Sequence, residues 1–175
     1  PNEFAIDGTY SRFLTSKLSM AVSARYIHSN LTQGQDVGGT ATKPGNSVAA
    51  DVALFQRFPL EFDKMTGDFS WGMNISNIGT KISYSDDNTR KDFIPTNLKI
   101  GPTLNLNLDD YNQLSFMVDF NKLLVPTNAI TSGDTIISGM DPNVSVPVGM
   151  IHSFYDAPGG FQEEINEISI CTGIE

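Results

Sequence analysis

The chain has 175 residues, of which 39% are hydrophobic and 18% charged, with a formal net charge of -9 and a pI near 4.5. That balance excludes a nucleic-acid partner, because phosphate neutralisation needs clustered Lys and Arg and only 11 are present. No run approaches the roughly 18 apolar residues of a membrane helix, and the single Cys171 allows no internal disulfide and no cysteine-built metal site.

In chain order, eight alternating segments are expected, near residues 2–13, 17–30, 47–58, 68–78, 97–108, 112–124, 144–155 and 166–175. The second sets Leu18, Met20, Val22, Ala24 and Tyr26 against Lys17, Ser19, Ser23 and Arg25. The fourth sets Phe69, Trp71, Met73 and Ile75 against Ser70, Gly72, Asn74 and Ser76. The fifth and sixth are the clearest, two arms joined at Asp109-Asp110. One carries Leu98, Ile100, Leu104, Leu106 and Leu108 on one face, and the other Leu114, Phe116, Val118 and Phe120. Each arm has about the 9 to 11 residues that a tilted strand needs to cross a bilayer. A helical period is expected only as a short turn around Gln162 to Ile168.

Connection lengths alternate. Short links are expected near 14–16, 59–67, 109–111 and 156–165, and long ones near 31–46, 79–96 and 125–143. Outer-membrane barrels have short periplasmic turns on one rim and longer extracellular loops on the other. Tyr10, Phe13, Tyr26, Phe58, Phe62, Tyr84, Phe93, Tyr111 and Tyr155 fall near segment ends, where interfacial girdles belong. The reading is an all-β transmembrane antiparallel barrel, with 1–175 as one incomplete domain. The start at Pro1-Asn2-Glu3, and the stop at Glu175 inside an alternating segment, lead us to expect a longer protein with further strands.

Reactive constellations are sparse. His28-Ser29 and His152-Ser153 suggest a rim esterase of the lipid A deacylase type, but no Gly-x-Ser-x-Gly elbow accompanies them. Ser85-Asp86-Asp87-Asn88 lacks the sixth-place Gly and closing Glu of a calcium loop. Glu163, Glu164 and Glu167, after Asp156-Ala-Pro-Gly-Gly160, read as a solvated periplasmic turn. Arg25, Arg57, Lys99 and Asp119 face inward, where they can pair across a lumen, either to plug it or to line a ligand path. We therefore expect no catalytic residue, no metal and no cofactor.

Four stretches, Gly72-Met-Asn-Ile-Ser-Asn-Ile-Gly-Thr-Lys-Ile-Ser-Tyr84, Phe93-Ile-Pro-Thr-Asn-Leu-Lys-Ile-Gly101, Asp119-Phe-Asn-Lys-Leu-Leu-Val-Pro-Thr127 and Ser153-Phe-Tyr-Asp-Ala-Pro-Gly-Gly-Phe161, resemble the PorV (LptO) family of the Bacteroidetes type IX secretion system. The resemblance implies a FadL-like outer-membrane barrel of fourteen strands, about eight of them in this chain, with no catalytic site. It implies a shuttle that binds the C-terminal signal domain of secreted cargo, accepts it from the SprA (Sov) translocon and delivers it to the PorU-containing attachment complex, among outer-membrane lipid and lipopolysaccharide. Under that reading the cargo-facing rim is expected at Ile94, Pro95, Leu124, Val125 and Pro126, apolar groups at loop ends. The alternatives are a FadL-like transporter of hydrophobic small molecules and a lipid A deacylase.

Overall fold

The computed structural model describes residues 2–31, 33–35, 41–63, 65–85, 91–133 and 135–175. Its strands are β1 Asn2–Phe13, β2 Leu18–Asn30, β3 Gly45–Glu61, β4 Thr66–Gly79, β5 Asn97–Asn107, β6 Gln113–Leu123, β7 Ile130–Ser132, β8 Thr135–Ser138 and β9 Ile168–Ile174. Seven of them form one antiparallel sheet in the order β1-β2-β3-β4-β5-β6-β9, while β7 and β8 make a separate hairpin. The all-β antiparallel architecture and the long alternating strands are those of a transmembrane barrel wall. No described helix is long and apolar enough to cross a membrane.

Register fixes two chemically opposite faces. Tyr10, Val22 and Val52 face one another across β1 to β3, and Leu104 and Phe116 across β5 and β6, all on the outer face. One residue out of phase, Asp7 faces Arg25, Ser23 faces Asp51 and Asn105 faces Ser115 on the inner face. The sheet is inside out relative to a water-soluble domain. Among the described residues the buried apolar set is Ala49, Ile82, Ile94, Leu124 and Ala157, whereas Ile6, Tyr10, Val22, Phe116, Phe120 and Ile170 are exposed on the outer wall. An exposed apolar face opposite a polar one is what the wall of an outer-membrane barrel presents.

Ion pairs link neighbouring strands across the inner face. Arg25 pairs with Asp7 at 2.5 Å and Asp51 at 3.2 Å, Arg57 with Asp68 at 2.5 Å, and Lys99 with Asp119 at 2.9 Å. All four cations and anions expected to reach across a lumen, Arg25, Arg57, Lys99 and Asp119, instead bond a neighbouring strand.

The connections segregate by length as the alternation predicts. Residues 14–17, 62–65 and 108–112 are tight links on one rim, and 31–44, 80–96 and 124–167 are excursions on the other. The Asp109-Asp110 link is an Asx-type turn. Asp109 Oδ1 accepts the Tyr111 and Asn112 amides at 2.8 and 2.9 Å. Hydrogen bonds from the Asn112 side chain, then from these amides, hold the Asp109 carboxyl below its usual range.

One expected strand is absent. Residues 144–155 form helix α1, Val146–His152, and a following turn, and 156–165 is no periplasmic link but leads into helix α2, Phe161–Asn166. Val144, Val146 and Val148 alternate correctly, but Pro147 has no amide for a ladder and its fixed φ suits the first turn of a helix. The short helical turn expected near 162–168 corresponds to α2.

Candidate functional site

The long-loop rim begins at a break in the β3–β4 ladder. The register shifts between Ala50 and Val52, and Asn77 on the facing strand adopts a left-handed φ of 58°. Such a bulge increases local twist and re-aims the strand end, and Asn tolerates the conformation better than most residues. The break is held from three sides. The Asn77 amide donates to Asp51 Oδ1 at 2.7 Å, Arg25 donates to Asn77 Oδ1, and Asn77 Nδ2 donates to the Pro95 carbonyl at 3.1 Å. Alternation of side chains does not reveal this hinge, because it depends on contacts between distant strands.

From the hinge, the described part of 80–96 turns over the inner face. Ile82 and Asp92 exchange backbone hydrogen bonds at 2.8 Å, and the Lys43 amide donates to the Tyr84 carbonyl at 2.9 Å. Ile82 and Ile94 pack with Ala49, beside Ile27 and Tyr84, into a small apolar core. A Cβ on Gly79 would lie 2.7 Å from Ile94 Cδ1, so this arm sits directly on the wall. Tyr84, expected in an interfacial girdle, instead donates its hydroxyl to Ser29 Oγ at 3.1 Å.

The excursion over 124–167 leans the other way. Lys122 follows Phe120 on the outer face, one position from the end of β6, and its ammonium donates to Glu164 at 3.1 Å and Glu167 at 2.8 Å. Lys122 and Glu164 are each 6% exposed. Glu164 Oε1 accepts the Ala157 amide at 2.8 Å, and Glu167 Oε1 accepts the Thr127 hydroxyl at 2.8 Å. Glu163, Glu164 and Glu167 therefore belong to the long-loop rim and not to a periplasmic turn. Glu164 and Glu167 are fasteners in a charged cluster, and Glu163 accepts the Gly159 amide at 2.5 Å.

Two carboxyls of this cluster titrate in opposite directions. Burial presses Glu167 toward its neutral form, but hydrogen bonds from Lys122 and Thr127, with the Lys122 charge, outweigh it and hold the carboxyl below the usual range. Burial is the main cause that raises Asp156. The Thr127 amide, donating at 3.1 Å, opposes the rise, while the Glu164 and Glu167 charges add to it.

The five residues expected at the cargo-facing rim fall into two groups. Ile94 and Leu124 are buried, at 6% and 3% exposure, and the Leu124 amide donates to the Thr96 carbonyl at 2.7 Å. Pro95 is exposed, and Val125 and Pro126 are half-buried. Val125 and Pro126 line a cleft of about 620 Å³ with Lys81, Lys91, Phe93 and Pro142. Lys81 Nζ stands 4.1 Å from the centre of the Phe93 ring, an arrangement that holds the cation over the aromatic face. Gly149 of α1 packs against the same ring, 2.9 Å from where its Cβ would stand. The cleft thus joins the two excursions, and Lys81, Lys91 and Phe93 were not singled out as site residues in the sequence.

Neither histidine–serine pair forms a nucleophilic dyad. His28 and Ser29 are successive residues of β2 and point to opposite faces. His28 Nδ1 bonds Asn46 at 2.8 Å, and Ser29 Oγ donates to Glu3 at 2.5 Å. Ser153 is fully buried and donates to the Met150 carbonyl at 2.8 Å. The possible calcium loop at Asp86-Asp87-Asn88 lies outside the described residues.

Comparison with known proteins gives one family. The family described as Type IX secretion system protein PorV matches residues 1–130, which include the hinge, the inward arm and the start of the outer excursion. No curated protein matches the chain. With strands and rim in that arrangement, and the match covering most of its length, the chain belongs to the PorV family of type IX secretion system proteins.

Proposed function

We propose that this protein is a non-enzymatic outer-membrane shuttle of type IX secretion. On this reading it binds the C-terminal signal domain of secreted cargo at its long-loop rim, accepts it from the SprA translocon and passes it to the PorU-containing attachment complex. The whole protein would be a FadL-like barrel of fourteen strands to which this chain contributes part of the wall. The observation that carries the proposal is a rim with a defined, accessible cleft in a chain of the PorV family. Pro95, Val125 and Pro126 would meet cargo, with Ile94 and Leu124 holding them in place from below.

The inner face supports a shuttle better than an apolar conduit. Its ion pairs, from Arg25–Asp7 to Lys99–Asp119, would line the path of a hydrophobic molecule with charge. Against a deacylase reading, the hydroxyls of Ser29 and Ser153 are given to Glu3 and to the Met150 carbonyl and not to a histidine.

The test is deletion of the long-loop excursions in the full-length protein. The expected result is a barrel that keeps its heat-modifiable migration in detergent but no longer co-purifies with cargo or translocon. Retained cargo with a loopless barrel would place the binding surface elsewhere.

A further inference from the structure

Beneath the rim, the outer wall holds a groove that the cargo proposal does not use. It measures about 220 Å³ and is lined mainly by Leu98, Ile100, Phe120, Lys122, Phe154 and Ile168. The wall residues share one face, since Leu98 stands opposite Lys122, Ile100 opposite Phe120, and Ile168 opposite Lys122. Phe154, from the turn after α1, overhangs them, with its ring centre 5.8 Å from Lys122 Nζ.

We infer that this groove holds one acyl chain of a lipid resident in the outer leaflet, so that the outer excursion clasps a membrane lipid against the wall. The inference rests on reading the apolar face as lipid-facing. The groove is continuous with that face, since Phe120 and Ile170 lead directly away from it down the β6–β9 ladder. Its volume suits about seven methylene groups, taking roughly 30 Å³ for a group the size of water. The excursion that carries Phe154 also exposes Ile151 at 61%, Tyr155 at 56% and Phe161 at 81%, side chains suited to the interfacial layer of a bilayer.

Charge separates a bilayer lipid from a free fatty acid. A free carboxylate in the groove would need a cation at its end. The cation lining it, Lys122, is already bonded to Glu164 and Glu167. A chain whose headgroup stays in the leaflet makes no such demand.

The test uses full-length protein in phosphatidylethanolamine vesicles doped with phosphatidylethanolamine that carries a mid-chain diazirine. After photolysis, peptides containing Phe154 and Ile168 should be labelled in clear excess over the wall peptide containing Val22, because a chain held in the groove stays beside them while the chains at Val22 exchange with bulk lipid. Leu98→Trp, which fills the groove, and Phe154→Ala, which removes its roof, should each abolish the excess while the Val22 peptide and heat-modifiable migration stay unchanged. A diazirine fatty acid added from solution should give no excess. The inference is overturned by equal labelling of groove and wall, by an excess that survives both variants, or by stronger labelling from the free fatty acid. Absence of label at Val22 as well would overturn the lipid-facing assignment itself, while co-purification with cargo reads the shuttle proposal independently.

Discussion

Two excursions leave the same rim and settle on opposite sides of one wall. The described part of 80–96 lies over the inner face and is pinned by Ile82 and Ile94 against Ala49. The stretch 124–167 leans over the outer face and is fastened by Lys122 to Glu164 and Glu167. The cause is strand phase. Ala49 and Ile27 occupy inward positions, whereas Lys122 occupies an outward one, and a one-residue change in phase would exchange the two sides. The means of attachment also differ for a physical reason. On the inner, polar side an apolar contact is the distinctive one, whereas beside lipid an additional apolar contact confers little and a satisfied ion cluster fixes geometry.

The largest break in this comparison should come from Lys122→Met. It leaves Glu164 buried without its cation, and removing one partner of a buried pair costs about 3 to 5 kcal/mol. Hydrogen exchange should rise sharply across α1 and α2 and leave the inward arm protected. Ile94→Ala is the reciprocal change. A cavity in so small a core should cost about 2 kcal/mol, at the low end for such truncations, and raise exchange in 80–85 and 91–96 without touching α2.

Asn77→Val tests whether the hinge serves both excursions. A β-branched residue at a left-handed φ is strained by about 1 to 3 kcal/mol and lacks the amide that donates to the Pro95 carbonyl. Protease sensitivity should increase first at residues 91–96.

Acid should sharpen the comparison through the outer excursion, where two carboxyls have shifted pKa values of opposite sign. Glu167 has its pKa lowered by folding, so its contribution is complete above the ordinary glutamate range and is lost as pH falls through the depressed value. Asp156 has its pKa raised, so it contributes in the opposite sense, most when protonated and less as pH rises through the elevated value. The two partly cancel, and acid loosening of α1 and α2 should be shallow in the parent protein and steeper in Asp156→Asn. Exchange rates of those helices between about pH 5 and pH 3 read the slope.

Much of the wall was legible because a period of two needs only neighbouring residues. The arms around Asp109 are the clearest case, and their register follows the expected faces. The family resemblance, carried by stretches such as Asp119 to Thr127, led to the same secretion-system family that matches residues 1–130. The rim was less legible because its contacts are distant in sequence. Lys122 meets Glu164 and Glu167 only after the chain has left and rejoined the sheet, so the acidic cluster read as a solvated turn. Pro147 was the available signal that residues 144–155 would not join a ladder, and the valine alternation around it concealed the helix. The Asn77 bulge left no local sign beyond an asparagine between Ser76 and Ile78.

The placement of the two excursions is tested most directly by spin labels on full-length protein in vesicles, with Cys171→Ser as the background. A label at Phe154→Cys should be more accessible to oxygen, which concentrates in lipid, than to a polar nickel chelate, whereas a label at Tyr84→Cys should show no preference for the lipid-phase relaxant. The same lipid preference at both sites, or a preference at Tyr84→Cys alone, would contradict the assignment of the two excursions to opposite faces.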